Sequence, residues 1–366
     1  MGKRLDEYAE QHDDDLEVER LHERIAQRDR KISGLERTVR KLTVERDDLA
    51  REREAFFDDL TKGQRQPPKW TQAKRSKNRK HATPVLMLSD LHFDEVVDPE
   101  AMHFLNAYDR RIAEIRFAHT VEMACELPTE YFTGLNYDGI VVLCGGDWWA
   151  GWIHPELVET NDGASILDGL VHWTPIVAGA LQRLADTYGK VATYWTWGNH
   201  GRLSHGKPKF KGAARDNLEW VLAHQVRQLL RDDKRISFVI PDAMDVMVPV
   251  YDTRIRLEHG NLGMRGGSGI AGALSPLLLG VHRATRQAAW EKRPFDVLMV
   301  GHWHQETFVP SRGLCINGSM VGYDEFARGL KLEPELAKQS LVIVTPEHGL
   351  SFSAPIICQD RKREGW

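Results

Sequence analysis

The chain has 366 residues, a formal net charge of −4 and a hydrophobic content of 42%. This length allows two domains, or one large domain with an appendage, and the hydrophobic content supports a sizeable core. A weakly acidic chain gives no overall indication of nucleic-acid binding, so any such signal must be local. The four cysteines are far apart and form no C-x-x-C pair, which indicates neither a zinc ribbon nor a disulfide framework.

The N-terminus and the apolar runs give no sign of export or membrane insertion. The first fifteen residues contain no apolar segment of the kind found in a secretory signal. The longest apolar run, at residues 269–281, is short and is broken by glycine and proline, so it does not span a bilayer. We therefore expect a soluble protein in a reducing, cytoplasmic compartment.

Residues 1–60 are highly charged and follow a heptad pattern that starts at Val18. Apolar residues fill five of the seven a positions and five of the six d positions. β-Branched residues such as Ile25 at a, with leucines such as Leu35 at d, favour a parallel two-stranded coiled coil. We expect an N-terminal coiled-coil helix and a homodimer formed through it. The alternative is a solitary charged helix held by i,i+4 ion pairs.

Residues 61–84 have the composition of a flexible linker, with Pro67-Pro68 and many polar side chains. The segment contains eight lysines or arginines and no acidic residue. Such a basic segment can neutralise phosphates, and Trp70 could stack on a base. A solvated tether between two folded parts is the alternative reading.

Residues 85–358 alternate short apolar runs with helical stretches, which is typical of an α/β domain, and residues 359–366 read as a polar C-terminal tail. Five of the apolar runs end in polar clusters, and in open α/β sheets sites form at the carboxyl ends of the strands. The clusters contain Asp90 and His92, Asp147, Asn199 and His200, His259, and His302 and His304.

These residue types form a set of oxygen and imidazole ligands without a thiolate, which suits Mn²⁺, Fe or Zn²⁺ rather than a structural zinc. Asp147 follows two glycines, which allow backbone and metal to approach closely, and is the natural bridge between two ions. His302 and His304 are one residue apart after a strand, so we expect both to face one site while Trp303 faces away.

The motifs, in this order, resemble the signature of the calcineurin-like metallophosphoesterases. They read "SDLH" at 89–92, "GGD" at 145–147, "GNH" at 198–200, "EHGN" at 258–261 and "GHWH" at 301–304. A later "CINGS" at 315–319 is similar to the family's Asn-Pro-Gly-Ser turn, without its proline. The resemblance spans residues 85 to about 355.

The resemblance implies a four-layer α/β/β/α sandwich with two mixed sheets and a site for two divalent metal ions, with Mn²⁺ preferred over Fe or Zn²⁺. It assigns Asp90, His92 and His304 to one ion, and Asp147 to the bridge. The second ion would be bound by Asn199, His259 and His302. His200 would be catalytic and would not bind metal. The chemistry implied is attack of a metal-bridging hydroxide on a phosphodiester.

Two departures from the family pattern put the orientation of His200 in doubt. Many members carry an acidic residue after G-N-H, where this chain has Gly201. The phosphatase branch has an aspartate three residues after the bridging one, and here that position is Ala150. The protein-phosphatase branch is therefore disfavoured.

The loops around the motifs bear on the substrate. The segment after His200 is basic, and we expect Arg202 to act beside His200 in catalysis. The lysines of this loop, and two tryptophans after Asp147, are candidates for substrate binding; surface charge and core packing are the respective alternatives. The candidates are Lys207, Lys209, Lys211, Trp148 and Trp149.

Three functions remain open from the sequence. A nuclease-like phosphodiesterase acting on DNA or RNA is favoured by the basic linker, the basic loop, the tryptophans and the expected dimer. A phosphodiesterase or pyrophosphatase for small nucleotides is the first alternative, because "EHGN" resembles the H-G-D of nucleotide-sugar pyrophosphatases. A non-catalytic coiled-coil binding scaffold is the second, and the complete set of ligand residues disfavours it.

Overall fold

A computed structural model describes residues 24–44, 46–47, 66–72, 80–163, 165–204, 209–262 and 274–366. The chain divides into two compact units, Met1–Lys62 and Gly63–Trp366. In the first unit, residues 24–44 form helix α1, on which apolar side chains such as Ile25, Ile32 and Val39 are exposed. The heptad positions before residue 24 and after residue 47 lie outside the described residues, so the coiled coil and the dimer remain predictions.

The second unit contains mixed α/β structure. Its helices are α2 (Arg110–Glu126), α3 (Pro155–Thr160), α4 (Ile166–Tyr188), α5 (Leu218–Leu229), α6 (Leu274–Trp290), α7 (Glu325–Gly329) and α8 (Arg361–Glu364). Its strands are β1 (His81–Leu88), β2 (Asn136–Tyr137), β3 (Ile140–Cys144), β4 (Val191–Trp195), β5 (Ile236–Val239), β6 (Asp245–Val250), β7 (Thr253–Glu258), β8 (Val297–Val300), β9 (Thr307–Val309), β10 (Leu314–Ile316), β11 (Lys338–Gln339), β12 (Leu341–Thr345), β13 (Gly349–Ser353) and β14 (Ile356–Ile357). Among the described residues, none of the helices combines the length and the apolar character needed to cross a bilayer.

The first sheet has the strand order β13-β12-β1-β3-β4-β5, with β2 beside β1. Strands β1, β3, β4 and β5 are parallel, whereas β12 and β13 are antiparallel to their neighbours. Leu88 is in register with Cys144, and Cys144 with Trp195, so three parallel strands end side by side. This register brings the segments that follow β1, β3 and β4 to one edge of the sheet.

The second sheet has the order β6-β7-β8-β10-β9 and is also mixed. Strands β7 and β8 are parallel, and Glu258 is in register with Val300 at their carboxyl ends. The next residues along the chain, His259 and Gly301, are therefore neighbours. The Gly301 amide donates to the His259 carbonyl at 2.9 Å.

Three apolar cores give the unit its layers. Helices α2, α4 and α5 cover one face of the first sheet, with residues such as Phe117 and Leu181 in that core. Met87 and Leu257 belong to a second core, which fills the space between the two sheets. Helix α6 covers the far face of the second sheet, where Ala284 packs. The expected arrangement of helices outside two central mixed sheets agrees with this packing.

Both predicted ends of the domain differ from the structure. Strand β1 begins at His81, four residues before the predicted start of the domain. Within the predicted linker, the Thr71 carbonyl accepts from Tyr251 N at 2.6 Å, and Trp70 packs against the core between the sheets. Trp70 is therefore not placed to stack on a base, because its ring lies over Gly139.

The predicted polar tail is part of the core. Glu364 in α8 is fully buried and pairs with the buried Arg116 of α2, with N–O distances of 2.9 and 3.0 Å. Burial alone would raise the pKa of Glu364, but the guanidinium of Arg116 lowers it. A charge inside a protein is stable only when its partner of opposite charge is buried beside it. The C-terminal residues therefore pack against α2, where Glu364 meets Arg116.

We predict that Arg116→Met lowers the free energy of unfolding by about 3–5 kcal/mol, because Glu364 would be left buried without its counter-charge. Urea titration followed by circular dichroism measures the change. Glu364 has a lowered pKa in the folded state. The difference in the free energy of unfolding between Arg116→Met and the wild type should therefore be full at neutral pH and should shrink as the pH falls below about 4.

The control is Arg111→Met in the same helix. Arg111 is exposed and bonds only the main-chain carbonyl of Glu364. A loss of stability as large as that of Arg116→Met would contradict the assigned role of the buried pair.

Candidate metal centre

The predicted ligands meet at the aligned carboxyl ends of β1, β3, β4, β7 and β8. Within each of three groups, one nitrogen or oxygen atom per residue lies within 4.8 Å of the others. The groups are Asp90, His92 and His304; His92, Asp147 and His200; and Asp147, His259 and His302.

The first group is held by short contacts between atoms that could bind one ion. The His92 and His304 Nε2 atoms are 3.2 Å apart, and His304 Nε2 is 3.4 Å from Asp90 Oδ1. Asp90 is fully buried and His92 nearly so. Two imidazole nitrogens and a carboxylate oxygen therefore converge on one point.

The other two groups both contain Asp147. Its Oδ2 is 2.9 Å from His259 Nε2, and its Oδ1 accepts from the His200 amide at 2.7 Å. Asn199 Oδ1 is buried and has no hydrogen-bond partner among the described residues. Such an orphaned oxygen costs free energy unless something else binds it, and a metal ion would do so.

Five of the candidate ligands have left-handed backbone, with φ of 54° at Asp90, 44° at His92, 52° at Asp147, 69° at His302 and 56° at His304. Each such residue costs roughly 1–2 kcal/mol when it is not glycine. The chain accordingly leaves the pleat immediately after each strand, and the turn directs the side chain into the site.

His302 and His304 belong to two different ligand groups while Trp303 packs elsewhere, and the strand alternation from which their placement was predicted does not apply. Strand β8 ends at Val300, before these residues. The left-handed turn directs both imidazoles inward, and Trp303 packs with the core under α6.

Neighbouring residues orient the ligands, and sequence reasoning missed most of them. His259 Nδ1 donates to the Gly145 carbonyl at 2.9 Å, and Ser89 Oγ donates to Asp90 Oδ2 at 2.5 Å. Asn317, in the "CINGS" turn, donates to Ser89 Oγ at 2.9 Å. Contacts of this kind fix ring and carboxylate orientations around metals.

Burial and neighbouring charges shift the pKa values of the four ligand histidines in opposite directions. Burial, with His259 as a second cause, lowers the pKa of His302 to about 4, and burial followed by the neighbouring imidazoles lowers that of His92. Burial also acts to lower the pKa of His259 and of His304, but neighbouring carboxylates outweigh it. Asp147 raises the pKa of His259 to about 10, and Asp90 raises the pKa of His304 to about 9. Metal binding would displace these last two protons.

The donor set fits divalent ions of intermediate softness. It offers imidazole nitrogens, two carboxylates and an amide oxygen, and it contains no thiolate. Mn²⁺, Fe and Zn²⁺ all accept such ligands. Asp147 and His92 each belong to two of the groups, and of the two only Asp147 has a carboxylate, whose two oxygens can each face a different ion.

Neither a family model nor a curated protein matches this chain. Among solved structures, a Vps29 single mutant from Entamoeba histolytica is similar, at 12% identity over 75% of this chain and 98% of that chain, with a TM-score of 0.29. A novel archaeal phosphodiesterase is 12% identical over 75% of this chain and 99% of that one, with a TM-score of 0.31. A dimetal phosphatase from Danio rerio is 10% identical over 76% and 99%, with a TM-score of 0.33.

The candidate metal centre orients His200 without an aspartate at position 150. His200 Nδ1 donates to the main-chain carbonyl of Ala150 at 2.6 Å. A carbonyl oxygen can only accept, so Nδ1 carries a proton, and Nε2 takes no part in this hydrogen bond. The His200 ring stands edge-on to His92, with centroids 4.6 Å apart.

The basic loop after His200 is brought near the centre only in part. Arg202 and Lys209 line a small cavity together with Asn199. Arg202 Nε donates to the Ser204 carbonyl, and Lys209 pairs with Asp216 at 3.2 Å. Lys211 is exposed, and Lys207 lies outside the described residues.

The predicted stacking role of Trp148 and Trp149 is wrong. Their side chains are 0% and 1% exposed, because the segment after Asp147 folds back under α4 and α5. Trp148 stacks on Trp195, with ring centroids 5.3 Å apart. Both rings belong to the core against the first sheet and cannot meet a base.

We predict that Asp147→Asn binds fewer than two Mn²⁺ ions per chain, because both ligand groups lose a negatively charged oxygen. Metal analysis after dialysis against Mn²⁺ measures the stoichiometry. Asp186→Asn removes an exposed carboxylate that pairs with Arg235 and serves as the control. Two tightly held ions in Asp147→Asn would refute its place between the groups.

Proposed function

We propose that the chain is a metal-dependent phosphoesterase that hydrolyses a phosphodiester at a centre for two divalent ions. The observation that carries this proposal is that Asp147 lies close both to His92 of the first ligand group and to His259 and His302 of the other, with His200 beside it. Two ions bound there would supply a nucleophile at neutral pH and stabilise charge on the attacking and leaving oxygens.

The protein's own groups have distinct tasks in this proposal. The Nδ1–H of His200 stays on the Ala150 carbonyl, so when Nε2 also carries a proton the ring can give that proton to the leaving oxygen and remain as the neutral Nδ1–H tautomer. Asp147 accepts from the His200 amide, which links the position of the catalytic ring to the ligand. The guanidinium of Arg202 lies on the Asn199 side, where positive charge favours a phosphate.

The substrate class that we propose first is nucleic acid, which is DNA or RNA. The support is the positive charge of Arg202 and Lys209, which line the cavity beside Asn199, together with the basic composition of residues 61–84. Phosphate contacts of this kind are independent of base sequence. Trp148 and Trp149 are buried in the core and Trp70 packs against the core between the sheets, so none of the three supports this class.

A small nucleotide is the second candidate, and one observation favours it. A cavity of about 250 Å³ adjoins His259, and its lining carries Arg256, Asn261 and Gln287. Nearby acidic groups balance the arginine, since Glu258 Oε2 is 3.3 Å from Arg256 Nε. A pocket of balanced charge with amide groups suits a neutral base or sugar better than a polyanion.

We expect Mn²⁺-dependent cleavage of end-labelled single- or double-stranded DNA, and a loss of about 10²- to 10⁴-fold in His200→Ala, because a general acid contributes that much. Gel analysis of the fragments measures cleavage and separates endo from exo action. His172→Ala is the control, since that histidine pairs with Glu114 on the helical face.

Two results would change the proposal. Hydrolysis of bis(p-nitrophenyl) phosphate without DNA cleavage would favour the small-nucleotide substrate. Inactivity towards every phosphodiester in a preparation that binds two ions would leave the third possibility, a binding scaffold.

We also propose that two copies pair through the N-terminal helix. The apolar side chains of Ile25, Ile32, Leu35, Val39 and Leu42 are each more than half exposed on α1. Their spacing follows the a and d positions, which a parallel partner helix would cover. The apolar face of α1 would then be covered by the same helix of a second copy of the chain.

Removal of residues 1–60 should convert a dimer to a monomer, because the proposed contact lies within that segment. Light scattering coupled to size exclusion measures the mass of each form. A truncated chain that stays dimeric would contradict the proposal, and Leu35→Asp in the full chain is a milder test of the same seam.

A further inference from the structure

Glu219 lies beneath the metal centre, near the start of α5, and its side chain has no solvent exposure. Its Oε1 accepts from the Trp148 amide at 2.9 Å, and its Oε2 accepts from the Gly198 amide at 2.8 Å. Both carboxylate oxygens are thus committed to main-chain donors. A buried carboxylate is costly, so its retention at this place calls for an explanation.

The two amides belong to residues that adjoin candidate ligands. Trp148 directly follows Asp147, and Gly198 directly precedes Asn199. One carboxylate therefore joins the segment after β3 to the segment after β4 at the point where each presents its ligand. The segments are in close contact there, because a Cβ on Gly198 would lie 2.0 Å from Asp147 Oδ1.

The space that Glu219 occupies is available because position 201 is glycine. A Cβ at Gly201 would lie 2.8 Å from Glu219 Cγ and 2.4 Å from Asn217 Oδ1. Asn217 caps α5 by accepting from the Glu219 amide, and it donates to the Gly198 carbonyl at 2.8 Å. The hydrogen bonds of Asn217 therefore hold the start of α5 against the G-N-H segment.

We propose that Glu219 is a positioning residue: its carboxylate fixes the spacing between Asp147 and Asn199, so that the two ions are held as a pair. The inference rests on the proposed function. It also accounts for Gly201, because in this chain the carboxylate under the G-N-H segment comes from helix α5.

The test replaces Glu219 with Gln, which keeps the shape but turns one accepting oxygen into a donor that faces an N–H. We expect kcat to fall by about 10- to 100-fold, the range seen when a group that orients ligands is removed. KM should stay within about twofold, since no substrate contact is lost. The substrate is bis(p-nitrophenyl) phosphate with Mn²⁺.

A second readout does not depend on activity. Two Mn²⁺ ions held as a pair give an exchange-coupled electron paramagnetic resonance spectrum, whereas separate ions give the spectrum of isolated Mn²⁺. In E219Q the coupled signal should weaken at the same metal concentration. The control is E364Q, which alters another fully buried carboxylate and should lower stability without changing kcat or the coupled signal.

Gly201→Ala provides an independent variant if E219Q does not fold. The added methyl group would press on Glu219 Cγ and Asn217 Oδ1 while Glu219 keeps both of its carboxyl oxygens, so the coupled signal should weaken here too. A wild-type signal and kcat in folded E219Q, or in Gly201→Ala where E219Q does not fold, would overturn the inference. Equal losses in E364Q would do the same.

The failure of this inference can be told apart from failure of the proposed function. A wild-type protein that gives no coupled signal and hydrolyses no diester would refute the function itself. A wild-type protein that shows both, beside an unaltered E219Q, would refute only the role of Glu219.

Discussion

The buried carboxylate of Asp147 is the constraint on which the centre depends. One oxygen accepts from the His200 amide after β4, and the other pairs with His259 after β7. Burial would raise the pKa of Asp147, but His259 and His200 lower it, so the group stays charged. A single negative charge thereby links the ends of both sheets, and the layers must pack at the distance that lets these contacts form.

The backbone at the ligands shows how such a centre is held. Left-handed turns at residues such as Asp90 and His304 are unfavourable for an isolated chain. Contacts from distant segments compensate for this cost, for example the Ser319 hydroxyl that donates to the Asp90 carbonyl at 3.0 Å. The geometry is thus a property of the folded domain, and strain of this kind is common at functional sites.

Much of this arrangement could be predicted from the sequence, because its signals are local. An aliphatic run followed at once by a polar motif identifies both a buried strand and the residues at its end. Asp90, Asp147 and His302 are examples, and parallel strands in register bring such residues together. The layered packing of helices on the sheets can also be predicted, since strands that are apolar along their whole length must be covered on both faces.

The errors concern residues whose role depends on distant packing. Nothing near Trp148 indicates that its segment folds under α4 and α5, and nothing near Trp70 reveals the core between the sheets. Glu219 did leave a signal, because it is a charged residue between Leu218 and Trp220 at the start of an amphipathic helix. Its partners are main-chain amides far away in the sequence, which no side-chain pattern records.

The hydrogen bond from His200 to the Ala150 carbonyl has a consequence for how the chain tolerates mutation. Every amino acid at position 150 supplies the same carbonyl, so the imidazole keeps its tautomer without any particular side chain there. The position that requires a particular amino acid is instead 151. At Gly151 φ is 74° and a Cβ would lie 2.2 Å from the His200 carbonyl oxygen, so only glycine fits without strain. In homologues that share this design, glycine at 151 would be the invariant position and 150 the variable one.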